Sequence, residues 1–273
     1  MEYTLNCNGR LLSLEKPCVM GILNVTPDSF YAASRVQTEQ QITLRAQAII
    51  DEGGTIIDIG ACSTRPGSES VGAQEEMERL RLALAVVRRE VPDAIISVDT
   101  FRPDIARMTV EEYGAAIIND VSGPAATVPQ QEGSATGQGM TKMVSRLGVP
   151  YVYMSHKATM SDILLDCAEA VDTLRSTGQK DIIVDPGFGF GKTQEQNYTV
   201  MNQLERMHLL RLPVLVGVSR KSMIYRLLDT EPSAALNGTS VLNTVALLKG
   251  ASILRVHDVK AAVECIQIVQ SLK

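Results

Sequence analysis

Short apolar runs recur along the chain, and each closes on a polar residue or a glycine. They occupy residues 19–24, 55–60, 95–99 and 116–120 in the first half, and 151–155, 181–185, 214–219 and 252–257 in the second. Between most of them lie stretches of helical period, among them 40–52, 75–90, 141–147 and 241–248. Strands that are apolar throughout belong in a parallel sheet covered on both faces, and alternation with helices is the repeat that builds such a sheet. Eight such units in 273 residues predict an α/β chain folded as a single (β/α)8 TIM barrel, with residues 1–273 as one domain. A doubly wound open sheet is the architecture that periodicity alone leaves open. The stretch 124–139, rich in Gly, Pro, Gln and Ala, reads as an extended loop after the fourth strand, and 203–212 reads as helical around His208.

Residues two apart on a strand face the same side. Ser97 therefore shares a face with Asp99, Gly217 with Ser219, and Arg255 with His257, always at the carboxyl end of an apolar run. A barrel assembles its active site at that end. Polar groups aimed into a barrel mouth lose hydration unless something bonds them. Any one of them serves equally well as a loop anchor or a helix cap. Asn24, Asp99, Asn119, Asp185, Lys221, Arg255 and His257 come from six strand ends or the loops just after them, and that convergence points to a ligand site.

Charge narrows the partners. With 26 Lys+Arg against 31 Asp+Glu the formal charge is -5, and no basic run tracks a phosphate backbone, so nucleic acid is not expected as a partner. The first residues hold no charged segment followed by a long apolar stretch, and no later run is long enough to cross a bilayer. The expectation is a soluble, cytoplasmic protein with no membrane contact. Five cysteines, Cys7, Cys18, Cys62, Cys167 and Cys265, include no C-x-x-C pair and read as reduced, mostly buried thiols.

The string GILNVTPDSF from Gly21, then IIDIG from Ile56 and STRPG from Ser63, resemble the signatures of the dihydropteroate synthases, a family of pterin-binding barrels. Further segments match in order: SVDT from Ser97, INDVSG from Ile118, DPGFGFGK from Asp185, SRKS from Ser219 and RVHD from Arg255. The resemblance covers nearly the whole chain. It implies a (β/α)8 barrel, a homodimer packed through late barrel helices, and condensation of 6-hydroxymethyl-7,8-dihydropterin diphosphate with para-aminobenzoate to give 7,8-dihydropteroate and diphosphate in folate biosynthesis.

The resemblance also divides the labour. It places the pterin ring on Asp99, Asn119, Asp185 and Lys221, whose carboxylate and carboxamide groups suit an edge with both donors and acceptors. Asn24 matches a residue that helps bind Mg2+. Thr64, Arg65, Arg255 and His257 match groups that hold the diphosphate, where arginine supplies a forked donor set. Diphosphate departure is implied to run ahead of amine attack, so catalysis falls to Arg65, Lys221, Arg255 and His257 as stabilisers of charge rather than to a nucleophile. Ser222, at an expected helix start, is the candidate contact for the para-aminobenzoate carboxylate. Loops around 26–31 and 63–67 are expected to close over the substrates.

Other readings stay open beside this one. A pterin-dependent methyltransferase resembles the family at several strand ends but needs no diphosphate site, and a non-catalytic pterin-binding protein needs no Asn24, Arg65 or Lys221. Residues 186–193 nearly spell a nucleotide P-loop but carry Pro186 where that pattern demands glycine. Gly187, Gly189 and Gly191 are expected to let the backbone pass close to a flat ligand. Asp58 reads as a structural hydrogen-bond partner, and Cys62, with no base beside it in sequence, is not read as a nucleophile. The family shows Met-His-Met after the fifth strand where this chain reads Tyr153-Met154-Ser155-His156, so no role passes to His156.

Overall fold

The computed structural model describes residues 3–25, 35–61, 71–122 and 138–272, with no statement on the side chains of residues 35–37 and 138. Two short antiparallel strands come first, β1 (Thr4–Cys7) and β2 (Arg10–Ser13). Eight parallel strands follow: β3 (Cys18–Asn24), β4 (Ile56–Gly60), β5 (Ile95–Asp99), β6 (Ile117–Asp120), β7 (Tyr151–Met154), β8 (Ile182–Asp185), β9 (Leu215–Val216) and β10 (Ile253–Val256). Their hydrogen-bonded order is β8-β7-β6-β5-β4-β3-β10-β9, and a parallel bridge from Val184 to Val214 joins the two ends. The sheet closes on itself, so the open-sheet alternative falls and the barrel expected from the strand count stands.

Helices α1 (Arg35–Asp51), α2 (Ala73–Glu90), α3 (Pro103–Tyr113), α4 (Gln138–Leu147), α5 (Met160–Ser176), α6 (Gln194–Asn202), α7 (Ser222–Tyr225), α8 (Leu236–Leu248) and α9 (Val259–Gln270) connect the strands. Alternate residues of each strand fall into two separate apolar clusters. Ile57, Ile59, Ile96, Val98 and Ile118 pack with helix residues such as Leu80, Leu84 and Ile105. Met20, Ile56, Ile95, Ile117, Val152, Ile183, Leu215 and Ile253 fill the barrel interior instead. A period of two, buried on both sides, is why each strand reads as a continuous apolar run.

The β1–β2 hairpin was not anticipated. It turns on Asn8 and Gly9, both at positive φ (53° and 89°), the two-residue connection that Asn-Gly favours. Its Leu5 and Cys7 join the interior cluster and plug the amino-terminal end of the barrel. Three boundaries also differ from expectation. Residues 204–210 form a 3₁₀ helix, α4 begins inside the expected loop at Gln138, and β9 is only two residues long. The last arises because the chain leaves the sheet early, in a turn where Lys221 N–H donates to Val218 O (3.1 Å) and Arg220 takes a φ of 53°. The remainder of the expected loop lies outside the described residues.

Candidate functional site

One inward step above the apolar layer the interior turns polar. Asp58, Ser97, Asn119, Asp185 and Arg255 each stand two residues beyond an interior isoleucine, so strand parity brings them into the barrel. Asp58 is the hub. Its carboxylate accepts from Ser97 Oγ (2.6 Å), Asn119 Nδ2 (3.1 Å) and Arg255 Nε (2.6 Å), while Arg255 Nη2 donates to Asp99 Oδ2 (2.8 Å). The structural reading of Asp58 is the one this geometry supports.

The network carries two carboxylates on one guanidinium. Burial works against the Arg255 charge, but Asp58 and Asp99 outweigh it and hold the guanidinium above its ordinary range. Burial pushes Asp99 up to about 7, with Arg255 opposing the shift and Asp58 adding to it. Arg255 is thus a fixed cation held between two carboxylates, and it opposes the burial that raises Asp99.

Opposite them, Asp185 begins the glycine-rich loop. Its Oδ1 accepts from Gly187 N–H at 2.7 Å. Burial raises the Asp185 pKa, and Lys221 counters that shift. Lys221 Nζ donates to Phe188 O and lies 4.5 Å from the centre of the Phe190 ring. Burial lowers Lys221 to about 8, with Asp185 opposing. A second ammonium, Lys192 Nζ, donates to Gly187 O (2.8 Å) and Phe190 O (3.2 Å) and holds the loop from inside. Gly187 has φ 69°, and a Cβ there would stand 2.1 Å from Ser155 O. Crowding by the protein's own backbone therefore demands this glycine, where the sequence suggested approach to a ligand. His156 reaches the same rim, with Nε2 2.9 Å from Val121 O and its ring 5.6 Å from that of Phe190.

On the β3–β10 side Asn24, exposed at the end of its strand, lines a cleft of about 460 Å³ with Ile22, Arg45, Arg220, His257 and Asp258. Burial, then the Arg255 charge, lowers His257 to about 4, so its imidazole is neutral near pH 7. Ser219 Oγ accepts from the His257 backbone N–H (3.1 Å) and sits 3.0 Å from Nδ1. A serine hydroxyl that donates to Nδ1 would leave the ring proton on Nε2. Arg220 forms a two-pronged pair with Asp258, at 2.8 Å for both contacts, and donates to Ser233 O (2.6 Å). Ser222 opens α7 beside Lys221.

The described site residues, Asn24, Asp99, Asn119, Asp185, Lys221, Ser222, Arg255 and His257, thus all stand at the carboxyl end of the barrel strands or just beyond it. Thr64, Arg65 and Cys62, and the loops expected to close over substrates, lie outside the described residues. Sequence reasoning missed Arg45, Lys192 and Phe190. For Phe190 a signal was present, an aromatic residue inside a glycine-rich loop between two predicted ligand positions. Lys192 binds carbonyls of its own loop, a role that side-chain patterning does not announce, and Arg45 acts on carbonyls far along the chain and leaves no local mark.

A family model described as "Pterin binding enzyme" matches residues 20–257. The chain is 40% identical over 254 residues to the dihydropteroate synthase of Bacillus subtilis (strain 168), covering 90% of this chain and 85% of that one. It is 36% identical over 273 residues to the dihydropteroate synthase of Escherichia coli (strain K12), covering 98% and 95%. Among solved structures, the Xanthomonas albilineans dihydropteroate synthase with 4-aminobenzoic acid superposes with a TM-score of 0.88 at 33% identity, over 100% of this chain and 98% of that one.

Proposed function

Since the chain belongs to the pterin binding enzymes and, within them, to the dihydropteroate synthases, we infer that its barrel mouth joins a dihydropterin diphosphate to para-aminobenzoate, releasing diphosphate and supplying dihydropteroate for folate biosynthesis. The observation that carries the assignment of roles is the polar layer itself. A ring of buried donors and acceptors stands on an apolar floor, with cations on the side that opens into the cleft.

In this reading Asp99, Asn119, Asp185 and Lys221 hold the pterin. Asp185 and Asp99 accept from ring N–H groups, while Asn119 and Lys221 donate to ring acceptors. Lys221 is already bound to a loop carbonyl, so it meets the ring from a fixed position. Arg255, clamped by Asp58 through Nε, turns its remaining donors to the diphosphate together with Thr64, Arg65 and the Nε2–H of neutral His257. As the bond from the pterin methylene to the diphosphate oxygen breaks, its electron pair leaves with the diphosphate and these donors take up the charge. The para-aminobenzoate nitrogen then bonds to the methylene and loses a proton. Ser222 receives the carboxylate of the incoming amine.

Asn24 is our candidate for holding Mg2+. Among the described residues no three His, Cys, Asp or Glu side chains gather into a metal cage. An exposed carboxamide oxygen at a strand end, bordering a cleft for a diphosphate, instead suits a cation that keeps most of its waters and borrows oxygens from its substrate. When bound, that ion would neutralise leaving-group charge.

Three further readings belong here. We propose that residues 1–273 act as one pterin-binding domain. We propose a homodimer built on the late helices, because Val241, Leu248 and Ile268 are exposed on the adjacent helices α8 and α9. We propose a cytoplasmic protein acting without nucleic acid or membrane partners. No helix among the described residues is long and apolar enough to cross a membrane, and the free, buried Cys7, Cys18, Cys167 and Cys265 suit a reducing compartment. Incubation with the pterin diphosphate, para-aminobenzoate and magnesium tests the activity. Dihydropteroate and diphosphate should appear in equal amounts, and absence of dihydropteroate would overturn the assignment.

A further inference from the structure

We propose that Arg45 is a further anion-binding residue of the leaving-group site, reaching the diphosphate from α1; the proposal rests on the functional reading above. The Arg45 guanidinium enters between the ends of β3 and β10. Its Nε donates to Ile22 O (3.0 Å) and its Nη2 to His257 O (2.6 Å). These bonds fix it between the strand that ends in Asn24 and the strand that leads to His257.

Its charge state singles it out. Arg255 is paired with Asp58 and Asp99, Arg220 with Asp258, and Arg102 with Glu76. Among the described residues no carboxylate lies within ion-pair distance of Arg45, whose two bonds both go to neutral carbonyls. Burial lowers its pKa, and Glu52 and Asp258 oppose that only from longer range. A purely structural arginine looks different. Arg88 spreads Nε, Nη1 and Nη2 over four carbonyls, those of Pro92, Ala94, Tyr113 and Gly114, away from the barrel mouth. Guanidinium carries five N–H donors, and the two carbonyls leave Arg45 a surplus.

That surplus borders open space. Arg45 lines the cleft of about 460 Å³ with Asn24 and His257, and it also lines a smaller hollow of about 170 Å³ beside Asn24. A half-buried, unneutralised guanidinium beside a cleft is complementary to a ligand with several negative oxygens close together, which a pterin lacks and a diphosphate has. The bond to His257 O gives Arg45 a second effect, since it fixes the backbone that carries the imidazole.

The test compares the wild type with Arg45→Met, which keeps the aliphatic stem and removes the donors, and with Arg45→Lys, which keeps the charge. Calorimetric titration with inorganic diphosphate in magnesium should show about tenfold weaker binding for Arg45→Met, with partial recovery in Arg45→Lys. Affinity for a pterin without diphosphate should not change. The salt dependence of diphosphate binding should also flatten in the methionine variant. Arg45→Gln, which keeps a donor for the two carbonyls, carries the same comparison if the methionine variant melts early. Diphosphate binding at wild-type strength in the methionine or glutamine variant would overturn the proposal, as would equal weakening toward both ligands. Wild-type protein that binds neither ligand would overturn the functional reading itself.

Discussion

At the scale of single residues, Asp185 shows how one carboxylate divides its work. Oδ1 is committed to the Gly187 N–H, and among the described residues no hydrogen bond is made to Oδ2. Asp185→Asn preserves the shape and, in the orientation that keeps Gly187 bonded, puts an amide N–H where a pterin N–H should meet an acceptor. An unpaired buried donor costs about 1 to 3 kcal/mol, more beside a lost charge, so pterin affinity should fall by roughly tenfold to over a hundredfold. The change also removes the charge that supports Lys221, letting burial lower that ammonium further below about 8. Calorimetry alongside a thermal melt separates this from a loop anchor: lost affinity at a near-normal melting temperature is expected, whereas retained affinity in a destabilised protein would assign Asp185 to the loop alone. Much at this scale was legible, because polar residues at strand ends with shared parity announce themselves. Arg45 was not, since its value comes from contacts with Ile22 and His257, separated from it by 23 and 212 positions.

Among the elements, the loop after β8 concentrates the constraints. Gly187 N–H holds Asp185, Gly187 O receives Lys192, Phe188 O receives Lys221, and the Phe190 ring lies beside that same ammonium. Gly187→Ala would bring a Cβ to 2.1 Å from Ser155 O, a backbone atom with little freedom to yield. The loop must shift, and misplacing binding groups by about 1 Å costs on the order of a hundredfold in rate. Gly178→Ala is the matched control, with φ 95° but nothing within 4 Å of the added atom. It should lower the melting temperature through backbone strain and leave kcat/KM alone. Equal activity in the two variants would show that the loop geometry does not reach the chemistry. The eight barrel strands were readable because double-sided burial writes itself as an apolar run. The plug hairpin was overlooked although Asn8-Gly9 is a strong turn signal, because its strands are short and β2 keeps only partial burial. The 3₁₀ segment at 204–210 shows apolar residues much as a helix would, and periodicity over seven residues does not separate the two.

For the whole molecule, the outer surface poses the remaining question. A barrel helix needs one apolar stripe, facing the strands, and α8 has it in Leu242, Ala246 and Leu247. Yet Val241 is 54% exposed and Leu248 59%, seven positions apart and so near one another on the outer side, while Ile268 on neighbouring α9 is 61% exposed. Scattered single apolar residues on a surface are ordinary, but a group on two adjacent helices is what the proposed dimer would bury. A stable symmetric dimer buries about 1,600 Å² in total, and two-fold symmetry lets the same patch serve both partners. Sedimentation of the wild type should therefore give a dimer. A Val241→Asp, Leu248→Asp double variant, which places a charge in each copy of the apolar patch, should sediment as a monomer. Because these helices flank the barrel while the ligand residues stand at its carboxyl end, the monomer should bind pterin with unchanged affinity. A monomeric wild type would remove the dimer from the account, and a dimer that survives both aspartates would place the interface on another face.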